Sequence, residues 1–313
     1  MTNLSEFTFL SSDGKTQLHG MLWEPEGMAV RAVLQICHGV AEHIARYDGF
    51  ARALNEQGIV VAGHDHLGHG KSLPEGGTPV YFGQGSTWNT VVDDIYILHQ
   101  RLKQRYPDAP LCIMGHSMGS FLTRTYLIRY PGTVKAAVIM GTGWQPRAAI
   151  TGGLALANAI AAVSGENATS ELVTELAFGS YNKLFAPNRT KVDWLSADES
   201  NVDDYIADPL CGADATVGLF RQMLHGIRFN QRQSHLRQMD REMPVLFVAG
   251  DKDPVGNCGK GVRQTYDAFR AAGMRDCTLK LYPGLRHEIL NEKAYTADIT
   301  KNIEAWLLSR LEK

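Results

Sequence analysis

Two short stretches near the start alternate apolar and polar side chains, Glu6 to Leu10 and Gln17 to Trp23, with the turn signal Ser12-Asp13-Gly14 between them. A period of two predicts a strand pair. Ala32 to Cys37 and Ile59 to Gly63 are instead apolar throughout, the pattern of strands buried on both faces of a parallel sheet. Between them Tyr47 to Gln57 reads as a helix closed by Gly58. A long amphipathic helix follows from about Thr87 to Tyr106, with Val91, Val92, Ile95, Leu98 and Leu102 on one face and Pro107 ending it. Two more apolar strands, Leu111 to Met114 and Val134 to Met140, flank a helix that begins near Phe121.

Strand and helix in alternation argue for a mostly parallel central sheet covered by helices on both faces. After Gly141-Thr142-Gly143 the alternation stops. Residues 144–226 contain no strand candidate, only apolar helical stretches (Ile150–Val163, Ser170–Ala177) and an aspartate-rich stretch, Asp193–Asp208. Strand Pro244–Gly250, helix Gly261–Ala272, strand Thr278–Tyr282 and a last helix near Tyr295–Leu311 restore the pattern. The expected division is a core first part (1–143), a helical cap inserted after the sixth strand (144–226) and a core second part (227–313).

Composition narrows the function classes. The chain has 313 residues, 44% hydrophobic and 20% charged, with a net charge of −2. That is an ordinary globular balance, and it lacks the basic face of a nucleic-acid binder. Five cysteines, an odd number, match neither a zinc spacing nor a disulfide framework. The first fifteen residues lack a basic start and apolar centre, so a reducing cytoplasm is expected. The apolar run Ile150–Val163 falls short of a membrane span.

The candidate chemistry lies at Gly115-His116-Ser117-Met118-Gly119, a G-x-S-x-G between an apolar strand and a helix. In that context the motif is a nucleophile elbow, which predicts the α/β-hydrolase fold. A serine hydroxyl needs a base, and the base needs an orienting acid. In this fold they follow in the order serine, acid, histidine. His225 and His235 lie in or beside the helical insertion, whereas His287 follows a strand through Pro283-Gly284; His287 is the expected base. The strand Val245–Gly250 runs into Asp251-Lys252-Asp253-Pro254. Asp253, further into the loop, is preferred as the acid, with Asp251 in reserve. A calcium loop there fails at Val255 and Val262, where carboxylates are required. The oxyanion donors are expected to be the amides of Met118 and of Val40, in the loop opened by His38-Gly39. His38, His43 and His116 are supporting groups. His64, His66 and His69 crowd a glycine-rich loop beside Asp65 with no further ligand pattern, so a hydrogen-bonded brace is expected there and no metal. Cys37 and Cys112 sit inside apolar strands as core filler.

Taken together, HGVAEH (38–43), GHDHLGHGKS (63–72), GHSMGS (115–120), GDKDP (250–254) and RHEILNE (286–292) resemble the monoglyceride lipase and lysophospholipase branch of the α/β-hydrolases, a group often labelled serine aminopeptidase-like. FGSYNK (178–183), DWLSADE (193–199) and YIADPLCG (205–212) are similar to the cap of bacterial members. The resemblance implies Ser117, Asp253 and His287 as triad, Val40 and Met118 as oxyanion donors, and a cofactor-independent hydrolysis of monoacylglycerol or lysophospholipid esters. Ala41 departs from it, because the animal lipases carry glycine there. A short-chain carboxylesterase or aminopeptidase with the same triad is the nearest alternative; a ligand-binding protein that keeps the fold is the non-enzyme one. For the alanine- and leucine-rich helix of the cap two readings stand side by side, a lid packed on its own core and a lid that touches a membrane surface.

Overall fold

The computed structural model describes residues 2–311. Its strands are β1 (Thr2–Leu10), β2 (Gln17–Pro25), β3 (Ala32–Cys37), β4 (Ile59–His64), β5 (Leu111–His116), β6 (Ala136–Met140), β7 (Val245–Gly250) and β8 (Cys277–Tyr282). They form one sheet in the order β1-β2-β4-β3-β5-β6-β7-β8. β2 is antiparallel to both β1 and β4, and every other pairing is parallel. The helices are α1 (Asp48–Asn55), α2 (Trp88–Arg105), α3 (Met118–Arg129), α4 (Arg147–Ser164), α5 (Glu171–Thr174), α6 (Ser180–Lys183), α7 (Glu199–Ala207), α8 (Val217–Asn230), α9 (Gln233–Leu236), α10 (Lys260–Ala272) and α11 (Thr296–Leu311).

The apolar runs explain the layering. β3 to β7 are buried at every position, and successive side chains point to opposite faces. Val33, Ile113, Ala137 and Phe247 share one core with α2, α3, α8 and α10, whereas Leu34, Met114, Val138 and Val248 share the other with α1 and α11. Gln35 is the polar exception in β3; its Nε2 donates to the Ile95 carbonyl of α2 at 2.9 Å. α2 starts where the pattern places it, with the Thr87 side chain capping Thr90 N.

Between β6 and β7 the chain is helical. α4 begins one turn before the expected apolar run and is eighteen residues long with a mean hydropathy of 1.3. By length and composition it could cross a membrane, although the run Ile150–Val163 alone could not. Only 17% of it is buried. Ile150, Leu154 and Ala157 carry that burial, and Gly153 packs so closely on α8 that an added methyl would lie 2.8 Å from Leu224 Cδ1. α8 runs through residue 226 to Asn230, whose amide donates to the Phe121 carbonyl of α3 at 2.8 Å.

The loop after β4 is a hydrogen-bonded brace, although the histidine rings supply little of the bonding. Asp65 is the brace: it accepts from Ile44 N at 2.8 Å, Lys71 N at 2.9 Å and His19 Nδ1 at 2.9 Å. The His64 and His66 rings are buried with neither nitrogen partnered among the described residues. His69 Nδ1 pairs with the Leu67 carbonyl, and its Nε2 has no such partner. Burial pushes His64 and His69 down to about 3, and holds His66 well below its ordinary value.

This sets a pH dependence. The unfolded chain protonates these histidines near pH 6.5 while the folded chain does not, so stability falls as pH drops from about 6.5 towards 3. His19, held up by Asp65 against its burial, acts with the opposite sign and keeps its full contribution below pH 6.5. The expected outcome is a melting temperature that falls steadily from pH 7 to pH 4, with His64→Leu giving a shallower slope. An unchanged slope in that variant would remove the buried-histidine explanation.

Candidate active site

β5 delivers Ser117 to the edge of the sheet, and packing dictates the turn. Ser117 has φ 54° and ψ −122°, a sparsely populated conformation that costs on the order of 1–3 kcal/mol. The flanking glycines permit it. A methyl at Gly115 would lie 2.2 Å from the Gly119 carbonyl oxygen, and one at Gly119 would lie 2.0 Å from that of Cys37. Ser117 N–H donates to the Met140 carbonyl at 3.1 Å, which fixes the turn to the end of β6.

The loop after β3 meets this turn from the other side. A methyl on Gly39 would be 3.1 Å from Ser117 Cβ. Gly39 N–H donates to Glu42 Oε1, so that donor is committed. The amides of Val40 and Met118 have no hydrogen-bond partner among the described residues. Two uncommitted donors therefore flank Ser117, one from each expected segment. His38 shapes the loop, with Nδ1 donating to the Gly39 carbonyl at 2.7 Å and Nε2 accepting from His66 N at 2.9 Å.

The two aspartates after β7 separate cleanly. Asp253, fully buried, accepts from His287 Nδ1 at 3.0 Å and from Val255 N at 2.9 Å. Asp251 accepts from Gly284 N at 2.8 Å and so braces the turn after β8. The His287 ring is buried, and it abuts Gly141, where a methyl would be 3.1 Å from its Cε1. Both Ser117 and His287 thus pack on residues 140–141. No hydrogen bond joins Ser117 Oγ to His287 among the described residues, and apo enzymes often tighten such contacts only with substrate bound.

A buried charge network that the sequence did not announce lies behind these groups. Glu42 accepts from Tyr47 Oη at 3.0 Å, from His116 Nδ1 at 3.2 Å and from Arg46 at 3.0 Å. Arg46 forms a bidentate pair with Glu288 at 2.7 and 2.8 Å. Burial raises the pKa of both carboxylates, but the His116 hydrogen bond and Arg46 charge more than offset this for Glu42, as Arg46 does for Glu288, and both lie below the ordinary range. Burial disfavours charge on His116, yet its bond to Glu42 outweighs that and raises its pKa. The His116 ring sits 4.6 Å from the His287 ring, and its Nε2 lies 3.3 Å from the His287 carbonyl. Glu42 and Glu288 stand inside the quoted motifs, but only the fold shows that Arg46 joins them.

Two further groups were not legible. Trp194, between β6 and β7, puts its ring 5.1 Å from that of His287, and Tyr181 lies 5.2 Å from Trp194. Arg124 in α3 is fully buried and donates to the Gly143 carbonyl at 3.0 Å; burial pushes its guanidinium down to about 9. A methyl on Gly143 would lie 2.3 Å from the Val255 carbonyl, so Arg124 supports the loop on which the Asp253 loop rests. Two cavities flank the site. One of about 570 Å³ touches Trp144, Tyr181, Leu184, Pro254 and Val255; the other, about 260 Å³, touches Glu42, Arg46, His116, Asn201 and Glu288. Ser117 borders neither.

Comparison with known proteins gives this geometry a lineage. Residues 28–294 match the family described as "Serine aminopeptidase, S33". The monoacylglycerol lipase of Mycolicibacterium smegmatis is 31% identical over 98% of this chain and 98% of its own. The monoglyceride lipase of Mus musculus is 28% identical over 96% of this chain and 90% of its own. The crystal structure of a thermostable carboxyl esterase from Bacillus coagulans, in complex with glycerol, superposes with a TM-score of 0.92 at 26% identity, covering 99% of this chain and 100% of that one. The chain belongs to the serine aminopeptidase family of α/β-hydrolases and is, within it, an enzyme of the monoglyceride lipase-like ester hydrolases.

Proposed function

We propose that Ser117, His287 and Asp253 form a catalytic triad that cleaves the carboxylic esters of monoacylglycerols or lysophospholipids through an acyl-enzyme. The observation that carries this reading is the buried His287–Asp253 pair, 3.0 Å apart, beside a serine held at positive φ. Ser117 Oγ attacks the ester carbonyl and His287 Nε2 takes its proton. Asp253 fixes the imidazole with Nε2 free and stabilises the imidazolium that forms. The Val40 and Met118 amides receive the oxyanion, a contribution of about 3–4 kcal/mol per donor in such sites. His287 then protonates the leaving alcohol and activates the water that releases the acid. No step requires a cofactor. The glycerol in the Bacillus coagulans esterase is the alcohol a monoacylglycerol would release, which supports the substrate class.

Residues 144–226 act as a lid in this reading. Trp194 and Tyr181 bring it against His287, and the cavity of about 570 Å³ beside Tyr181 and Val255 has the size of a small-molecule site. We place that cavity as the acyl-chain chamber. Five free cysteines support a reducing, cytoplasmic setting. The exposed face of α4, which includes Val163 at 88% exposure, supports a transient membrane contact. If so, Val163→Glu weakens flotation of the protein with phosphatidylcholine vesicles, and equal flotation of both forms refutes the contact.

Ser117→Ala is expected to lower kcat on p-nitrophenyl esters by about 10⁴-fold or more and to abolish labelling by a fluorophosphonate probe. Labelling that persists in this variant removes the nucleophile, and a silent wild-type serine favours the ligand-binding reading. Asp253→Asn should cost about 10⁴-fold in kcat, while Asp251→Asn leaves kcat within a few-fold; the reverse order would exchange their roles. Hydrolysis measured across acyl lengths, with an aminoacyl amide included, separates a lipase from the alternatives. A preference for acetyl esters indicates a short-chain esterase, and turnover of the amide an aminopeptidase.

A further inference from the structure

We propose that His43, Asp208 and Cys211 form a binding site for a divalent transition-metal ion, zinc above all, that ties the loop after β3 to the segment after α7. The His43 ring nitrogen, an Asp208 carboxylate oxygen and Cys211 Sγ all lie within 4.8 Å of one another. An imidazole, a carboxylate and a thiolate are the ligand types of tetrahedral zinc. Metal–ligand bonds of about 2.0–2.3 Å would set these atoms roughly 3.3–3.6 Å apart in the occupied site. The His43 Nε2–Asp208 Oδ2 hydrogen bond, now 2.8 Å, must open by about half an ångström, and Cys211 must approach by a side-chain rotation. Nothing in the spacing of 43, 208 and 211 along the chain announces the trio, and it stands apart from the His64–His69 loop.

The backbone already holds these ligands together. Gly212 N–H and Tyr205 Oη both donate to the Ala41 carbonyl, each at 3.0 Å. His43 is buried, while Asp208 and Cys211 are half-buried and leave a path from solvent. The local charge also suits a cation. Glu42 and Glu288 share one guanidinium, Arg46, and Glu42 also meets the His116 ring, while Asp208 has only His43 as its ion-pair partner, so carboxylates outnumber the cationic groups here. The thiolate is the ligating form, so Cys211 gives up its proton on binding. Binding forms one bond each from nitrogen, oxygen and sulfur to the ion. The thiol proton leaves to solvent, and the His43 proton moves from Nε2 to Nδ1. A water completes four-coordination on the open side.

Cobalt(II) titration of the intact, tag-free chain tests the site without reference to ester turnover. The expected result is a near-ultraviolet thiolate-to-cobalt band with the strong visible bands of four-coordinate cobalt, both erased by added zinc. Cys211→Ser should remove the near-ultraviolet band and weaken binding by at least about tenfold, whereas Cys258→Ser, an exposed thiol elsewhere, should change neither. Asp208→Asn serves if the Cys211 variant does not fold; it should keep the band and bind about tenfold more weakly. Absence of the thiolate band at saturating cobalt, its persistence in Cys211→Ser, its loss in Cys258→Ser, or unchanged affinity in Asp208→Asn would each overturn the site.

Discussion

A single buried carboxylate, that of Glu42, gathers the parts of the candidate site. It receives Gly39 N–H, Tyr47 Oη, the His116 ring and Arg46. Those donors belong to the loop after β3, to the turn leading into α1 and to the residue before Ser117. An ionised carboxylate at this depth persists only when such donors replace its water. Each donor is correspondingly fixed, and with them the loop that carries the Val40 amide. Arg46 extends the same lattice to Glu288, the neighbour of His287. The histidine loop is therefore attached to the serine turn through charge as well as through the sheet.

Much of this arrangement was legible because its causes are local. The elbow demands glycine at 115 and 119 for reasons of close approach, and those residues stand in the sequence. The strands that present Ser117 and Asp253 announce themselves as apolar runs, and the one before His287 as an alternating stretch. The choice between Asp251 and Asp253 rested on how far each lies into its loop; the fold supplies a physical reason, since Asp251 is occupied by Gly284 N and Asp253 faces His287. What stayed illegible is long-range. Arg46 and Glu288 are 242 residues apart, and neither has a periodic or spacing signature. Trp194 lies in the aspartate-rich stretch, which was legible only as part of the helical cap. The loop after β4 was legible as a hydrogen-bonded brace, but not that Asp65 holds it while the His64 and His66 rings pack without partners among the described residues.

The helical segment between β6 and β7 joins the site through specific contacts. The Trp194 ring lies tilted against that of His287, Glu288 N–H donates to the Leu195 carbonyl at 2.7 Å, and Asn201 donates to Glu288 at 2.8 Å. Its longest helix, α4, by contrast gives most of its surface to solvent. One end of the segment is anchored beside His287 while the other offers apolar area outward.

The Ala41 residue carries a consequence of its own. It occupies φ +53°, a left-handed conformation that costs an alanine roughly 1–2 kcal/mol relative to the ordinary helical one. Its carbonyl is held there by Tyr205 and Gly212. If the segment bearing them swung away, the strained peptide would lose the two restraints that offset its conformation. Swinging of that segment and relaxation of the peptide next to Val40 are then one thermodynamic event, and reciprocity requires that a molecule which stiffens either one must favour the other.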